Sequence, residues 1–278
     1  MKVAAIAITT FKEAVRQPVL YVLVVGSMVL VLLVGQLPMF TFSVLDDLKM
    51  VKDMAVSTSV LVGLLVAIFV AVEVVTEEIE NWTVLTVLSK PVRRWEFLVG
   101  KFAGLVLLMA ATYVVVGVTF IGLTWVGIYS QLAESANVYP EYLNAFWGHF
   151  AWPAANELWR GFVMSFLHTV LLTAVAVALC ARLPMVLSVV VYFVVFVAGH
   201  LVNGLVQLVS HGGWAARWAG EALAVVIPNL ETFNVAHEIG LGQRIGFADM
   251  GWCALYTASY AAAMMLVGVM LFRRREVF

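Results

Sequence analysis

Residues 102–127 read FAGLVLLMAATYVVVGVTFIGLTWVG, 26 positions without a charged side chain. As an α-helix this run is about 39 Å long, more than the roughly 30 Å of hydrocarbon in a bilayer. A backbone in lipid must satisfy its own hydrogen bonds, and helix is the form in which a single segment does so. Outward from it the pattern repeats. Further apolar runs lie near 18–38, 57–76, 161–181, 185–206 and 251–272. The chain of 278 residues is 63% hydrophobic and only 12% charged, against about 25% charged in soluble domains, and its mean hydropathy is +1.01. The expected fold is therefore all-α, a polytopic membrane protein with six transmembrane helices in one domain spanning residues 1–278.

Charge sets the orientation. With the N-terminus inside, the inner connections hold Lys2, Lys12, Arg16, Lys90, Arg93, Arg94, Lys101, Arg182 and Arg273–Arg275, which is 11 of 16 Lys and Arg. Lys49, Lys52, Arg160, Arg217 and Arg244, the other 5, fall outside, two of them beside Asp46, Asp47 and Asp53. Positive residues resist translocation, so both termini are expected in the cytoplasm of a multi-pass protein of the inner (cytoplasmic) membrane. The first run follows Lys2, Lys12 and Arg16 as a signal peptide's would, but it is long and "GQLPMF" offers no small-residue cleavage site, so it is expected to be retained. The net charge of −1 collects on no face or tail suited to phosphate, which argues against a nucleic-acid partner.

Outside the spans, residues 2–17, KVAAIAITTFKEAVRQ, place Val3, Ile6, Ala7, Phe11, Ala14 and Val15 at helical spacing, with Lys12, Glu13, Arg16 and Gln17 near the end. That predicts an amphipathic elbow helix, within 1–17, along the inner membrane surface and turned at Pro18. The longer connections, 128–160 and 207–250, face outward and are rich in Trp, Gly and Pro. Tyr139, Tyr142, Phe146, Trp147, Trp152 and Trp159 suit interfacial segments, and a surface for an outer accessory protein is a further use of them.

One stretch departs from this oily pattern. Residues 76–101, TEEIENWTVLTVLSKPVRRWEFLVGK, carry Glu77, Glu78, Glu80, Lys90, Arg93, Arg94, Glu96 and Lys101. Ile79, Trp82, Leu85 and Leu88 recur every three residues and mark an apolar stripe, with acids at the helix start where they complement the macrodipole. Pro91 ends that piece, and a second begins at Arg93–Glu96 before "GKFAG" enters the third span. On this topology the loop 77–101 is cytoplasmic, and Trp82 and Trp95 give it a docking face.

The segment resembles the type-2 ABC-transporter permease family, of the NosY-like six-span kind. That family's pattern is E-x-x-x-T-x-x-x-L-L-S-x-P-V-x-R, followed by G-K at the third span; here Glu80 or Glu78 precedes Thr83, and Leu88, Ser89, Pro91, Val92, Arg94, Gly100 and Lys101 supply the rest. Trp82 stands where the family often has Gly. The motif covers about 25 residues; the six spans and the basic tail RRRE extend the likeness in architecture to the whole chain. The resemblance implies a permease subunit that pairs with a second copy or a related permease and rests on a cytosolic ABC ATPase carrying ATP and Mg, with export as the expected direction. It makes 77–101 the coupling loop. Glu77, Glu78, Glu80, Thr83, Lys90, Pro91, Arg93, Arg94 and Glu96 are its candidate docking residues, with Trp82 and Trp95 as anchors. Glu73 beside it is a candidate for a cytosolic gate, paired with Lys101 or Arg94.

Other chemistry finds little support. No G-x-x-x-x-G-K-[ST] loop occurs, since Phe102 follows Gly100-Lys101 and Trp95 takes the first glycine's place, so the chain is not expected to be an enzyme. In "HEIGL" Leu241 replaces the second histidine of a zinc protease. Cys180 and Cys253 are read as packing residues, and no catalytic residue, cofactor or metal is expected in this chain. His168 and His200 lie within apolar runs, where Ser165, Thr169 and Asn203 are their expected hydrogen-bond partners. Small residues at Gly117, Gly122 and Ala261–Ala263 permit close helix approach, within the bundle or between copies. The alternative function is a membrane scaffold or assembly factor that transports nothing.

Overall fold

A computed structural model describes residues 2–35, 44–76, 78, 93–136, 152–210, 227–241 and 243–273. Among them all regular structure is helical. Helix α1 (Lys2–Val15) is followed by α2 (Pro18–Gly35), α3 (Val44–Ala71), α4 (Arg94–Ala136), α5 (Trp152–Cys180), α6 (Met185–Ser210), the short α7 (Ala236–Gly240) and α8 (Phe247–Arg273). Five stretches within these, Lys49–Thr76, Arg94–Val126, Glu157–Cys180, Met185–Gly204 and Phe247–Phe272, are long and apolar enough to cross a membrane. The pair α1 and α2, bent by 62° at Pro18, makes six if counted as one span. Proline suits that break because its ring fits the first turn of a new helix and cannot continue an old one.

The helices outrun the apolar windows. Span three, expected at 102–127 with a separate piece before it, is one unbroken helix from Arg94 to Ala136. Likewise α3 begins at Val44 and α5 at Trp152, ahead of the apolar starts at 57 and 161. Hydropathy marks only the lipid-matched part of a helix, whereas intrahelical hydrogen bonds continue into the polar flank. Beyond Ala71 the α3 backbone widens into a π turn, Val72–Thr76, that includes Glu73.

The core lies on α5, which packs against α3, α4, α6 and α8. Of its apolar window 72% is buried, against 22% for α6 and 28% for α8, which sets those two at the bundle's rim with Val186, Val194, Leu255 and Leu266 facing out. Such an apolar exterior is stable only in a non-aqueous surround. Buried hydroxyls tie the core together. The Tyr113 hydroxyl of α4 lies 2.9 Å from the Ser59 carbonyl of α3, 3.1 Å from the Ser165 carbonyl and 2.7 Å from Thr169 Oγ1 of α5. Gly63 makes room for this node, because a Cβ there would sit 2.5 Å from the Tyr113 hydroxyl. Tyr192 of α6 donates to the Leu64 carbonyl at 3.0 Å. Tyr113→Phe should cost about 1 kcal/mol, the net value of a buried hydrogen bond, read as a lowered midpoint in detergent-unfolding curves.

Away from the core, Arg160 of α5 forms an ion pair with Glu157 at 3.3 Å, donates to the Ile245 carbonyl and stacks its guanidinium over Phe247, 4.7 Å from the ring centre. Arg244 lies 3.4 Å from the same Glu157. These contacts fix the 243–247 turn on α5.

Candidate functional site

The charged end of the bundle is built by α1, the end of α3 and the start of α4. Glycines dictate the fit of α1 on α4. A Cβ on Gly100 would meet Ile6 at 2.7 Å, and one on Gly104 would meet the Ala7 carbonyl at 2.7 Å and Thr10 Cβ at 2.6 Å. With no side chain at either position the two backbones approach closely, and Ala7, Thr10 and Ala14 are buried.

Between those glycines stands Lys101. Its side chain is 4% exposed, and its Nζ lies 2.7 Å from Glu78 Oε1 and 3.4 Å from Glu13 Oε2. The ammonium also sits 5.7 Å from the centre of the Phe97 ring. A buried cation needs such neighbours, since desolvation opposes the charged state unless opposite charge compensates it. Lys101 thus joins three separate parts of the chain: α1 through Glu13, the residue two places past the π turn through Glu78, and α4 through its own backbone. Burial pushes the Glu78 carboxyl above its ordinary 4.5, Lys101 pulls it back down and Glu13 adds to the rise. A carboxyl raised in the folded state binds its proton more tightly than in the unfolded chain, so its contribution to stability is present below about 4.5 and is lost as pH rises through the raised value. Glu78→Gln should flatten the fall in unfolding midpoint over that acidic window, measured by thermal melts at stepped pH.

The start of α4 is capped locally. The Arg93 backbone N–H donates to Glu96 Oε2 at 2.8 Å, the N3-to-N-cap half of a capping box. Phe97 stacks on Phe272 of α8 with centroids 6.0 Å apart, and the Arg94 guanidinium lies 5.9 Å over the same Phe272 ring. Trp95 turns outward, 45% exposed.

Of the residues expected to dock a partner, Glu78, Arg93, Arg94, Trp95 and Glu96 thus gather at one end of α3 and α4. Glu77, Glu80, Trp82, Thr83, Lys90 and Pro91 lie outside the described residues. Glu96 is engaged in capping and Glu78 in the ion triad, which leaves Trp95 as the outward-facing candidate anchor. At the expected gate, Lys101 is held by Glu78 and Glu13, and Glu73 lies within the π turn among buried Val72, Val74 and Val75. Glu13 had carried no role; its partner is 88 positions away, a separation no local pattern reveals. Gly100 and Gly104, spaced four apart, carried the readable signal of close helix approach. His168 and His200 also differ from expectation: His200 Nδ1 lies 3.0 Å from the Phe196 carbonyl, Asn203 bonds Glu231 and Asn229, and Thr169 bonds Ser165 and Tyr113.

Compared with known proteins, the chain matches no protein-family model and no curated protein. What the charged end can do is mechanical. Anything that pulls on the segment after Glu78 acts through a buried ion pair on α1 and α4 at once.

Proposed function

We propose that this chain is the permease subunit of an ATP-binding-cassette transporter, with six spans, both termini cytoplasmic, in the inner membrane. A separate cytosolic ATPase drives it, a second permease copy or related permease pairs with it, and export is its direction. The observation that carries this reading is Lys101. The residue that closes the 76–101 motif is buried between Glu78 and Glu13 and so binds the two ends of the proposed coupling loop to each other and to the elbow helix. An ATPase that moves the loop moves α1, α3 and α4 as a unit, which is what coupling to alternating exposure requires. The residues at the base of α4, with Trp95 outermost, would seat on the ATPase surface. Few charged residues lie within the spans, which fits a lipidic, amphipathic or peptide cargo better than an ion.

Purification through a tag on this chain tests the reading. An ATPase should copurify, and Glu80→Arg with Arg94→Glu should abolish its binding or its turnover. A complex that keeps full turnover in the double variant would remove the loop assignment, and a preparation with no ATPase would leave the scaffold function instead.

A further inference from the structure

At the far end of α3 from Lys101, a chamber of about 140 Å³ opens between α3, α5, α6 and the segment 230–236. Val56, at its wall, and Thr76 are separated by twenty positions, about 30 Å of helix. The floor is aromatic. His168 of α5 stacks on Phe233, with centroids 5.6 Å apart and planes at 13°, and meets the edge of His200 of α6 at 5.7 Å and 70°. Phe196 backs His200 at 4.5 Å. The 3₁₀ turn Glu231–Phe233 is held in place because Leu230 N–H donates to the Gly199 carbonyl at 3.1 Å, an approach that a side chain on Gly199 would block at the Pro228 carbonyl, 2.8 Å away. Exposed Ser57 and Asn234 stand at the mouth, and among the described residues no Asp, Glu, Lys or Arg lines the space.

Two nitrogens define what could bind. His200 Nδ1 faces a carbonyl, which only accepts, so that nitrogen carries the proton and a neutral His200 keeps its Nε2 as an acceptor. His168 Nε2 is buried, on a residue only 2% exposed, and has no hydrogen-bond partner among the described residues. A buried polar atom left so in a chamber with rigid walls marks a place for a guest. We infer that the chamber binds a small uncharged molecule of about one six-membered ring bearing a hydroxyl, a phenol being the simplest member of the class. The volume matches the roughly 150 Å³ of a cavity that takes up benzene. The uncharged lining disfavours ions, which would lose hydration without compensation. A hydroxyl both donates and accepts, so it can donate its one proton to His200 Nε2 and accept from a protonated His168 Nε2. Stacking among His168, Phe233, Phe196 and His200 fixes both imidazoles before the guest arrives, which preserves its selectivity for the hydroxyl. The site is independent of the transport reading, since it rests on none of the residues at the charged end.

The test uses the full chain in nanodiscs with ¹⁵N-labelled histidine, whose five residues give a resolvable spectrum. Phenol should shift the His168 and His200 nitrogens saturably, and toluene, the same ring without the hydroxyl, should need at least about ten-fold higher concentration. His200→Phe should reduce that preference to less than about three-fold. Val60→Phe, which fills the chamber and leaves both histidines, should abolish the phenol shift. Equal titration by phenol and toluene, a phenol response that survives Val60→Phe, or no saturable response at all would overturn the inference. So would zinc chloride shifting both imidazoles at one equivalent where phenol does not, which would assign the pair to a metal.

Discussion

Lys101→Met is expected to lower unfolding free energy by about 2–3 kcal/mol, read from reversible unfolding of the purified protein in mixed micelles. Met preserves the apolar stem against Phe97 and removes only the charge. Two carboxylates are then left together without their cation. Breaking a fully buried pair costs about 3–5 kcal/mol because a charge is left uncompensated. Glu78 and Glu13 are 23% and 41% exposed, and water at these acids reduces that figure. The sign has an internal check. Adding Glu78→Gln to Lys101→Met should recover about half of the loss, since the repelling charge goes with it. If Lys101→Met alone stays within 0.5 kcal/mol of the parent, the lysine is a solvated side chain and the latch does not exist.

Gly104→Val is the second large effect. The new Cβ would fall 2.7 Å from the Ala7 carbonyl and 2.6 Å from Thr10 Cβ, and neither neighbour is the movable tip of a flexible side chain. The helix α1 must therefore move off α4 or the contact must strain, at about 2–4 kcal/mol. Lys12 and Arg16 are already exposed, and displacement frees the helical backbone beside them for a protease to bind. The expected outcome is a trypsin cut at Lys12 or Arg16 at least ten-fold faster than in the parent, followed by mass spectrometry. Gly122→Val provides the contrast, because a Cβ there meets nothing within 4 Å and cleavage should be unchanged.

The apolar runs made the helical, membrane-embedded character legible, because transfer of a charge-free stretch from water to lipid depends on composition alone. They did not reveal where helices stop. Residues 94–101 and 128–136 are too polar for a hydropathy window, yet α4 includes them, since a helix once nucleated gains a hydrogen bond with each added residue. The π turn at Val72–Thr76 left no readable mark in VEVVT, being set by how α3 seats on its neighbours. Charge clustering in 76–101 marked Lys101 but not the Glu13 that it meets. Nothing in the order of residues links Lys101 to α1, and only the packing of α1 across α4 through Gly100 and Gly104 brings Glu13 within 3.4 Å. For the histidines the sequence proposed Ser165, Thr169 and Asn203; Thr169 bonds the Ser165 carbonyl and Asn203 bonds Glu231, so neither is free to turn toward an imidazole, while the buried Ser165 hydroxyl bonds nothing among the described residues.

The central claim is that the base of α4 seats on a cytosolic ATPase. It is tested most directly by placing a benzoylphenylalanine crosslinker at Trp95, irradiating native membranes and identifying what is joined to this chain. Trp95 is exposed at that base, while Trp252, near the start of α8 and 70% exposed at the other end of the bundle, serves as the matched control. The account predicts an adduct from position 95 to a nucleotide-binding ABC ATPase, lost with Arg94→Glu, and none from position 252. Adducts from position 95 that contain only lipid, or the same adduct from both positions, would contradict it.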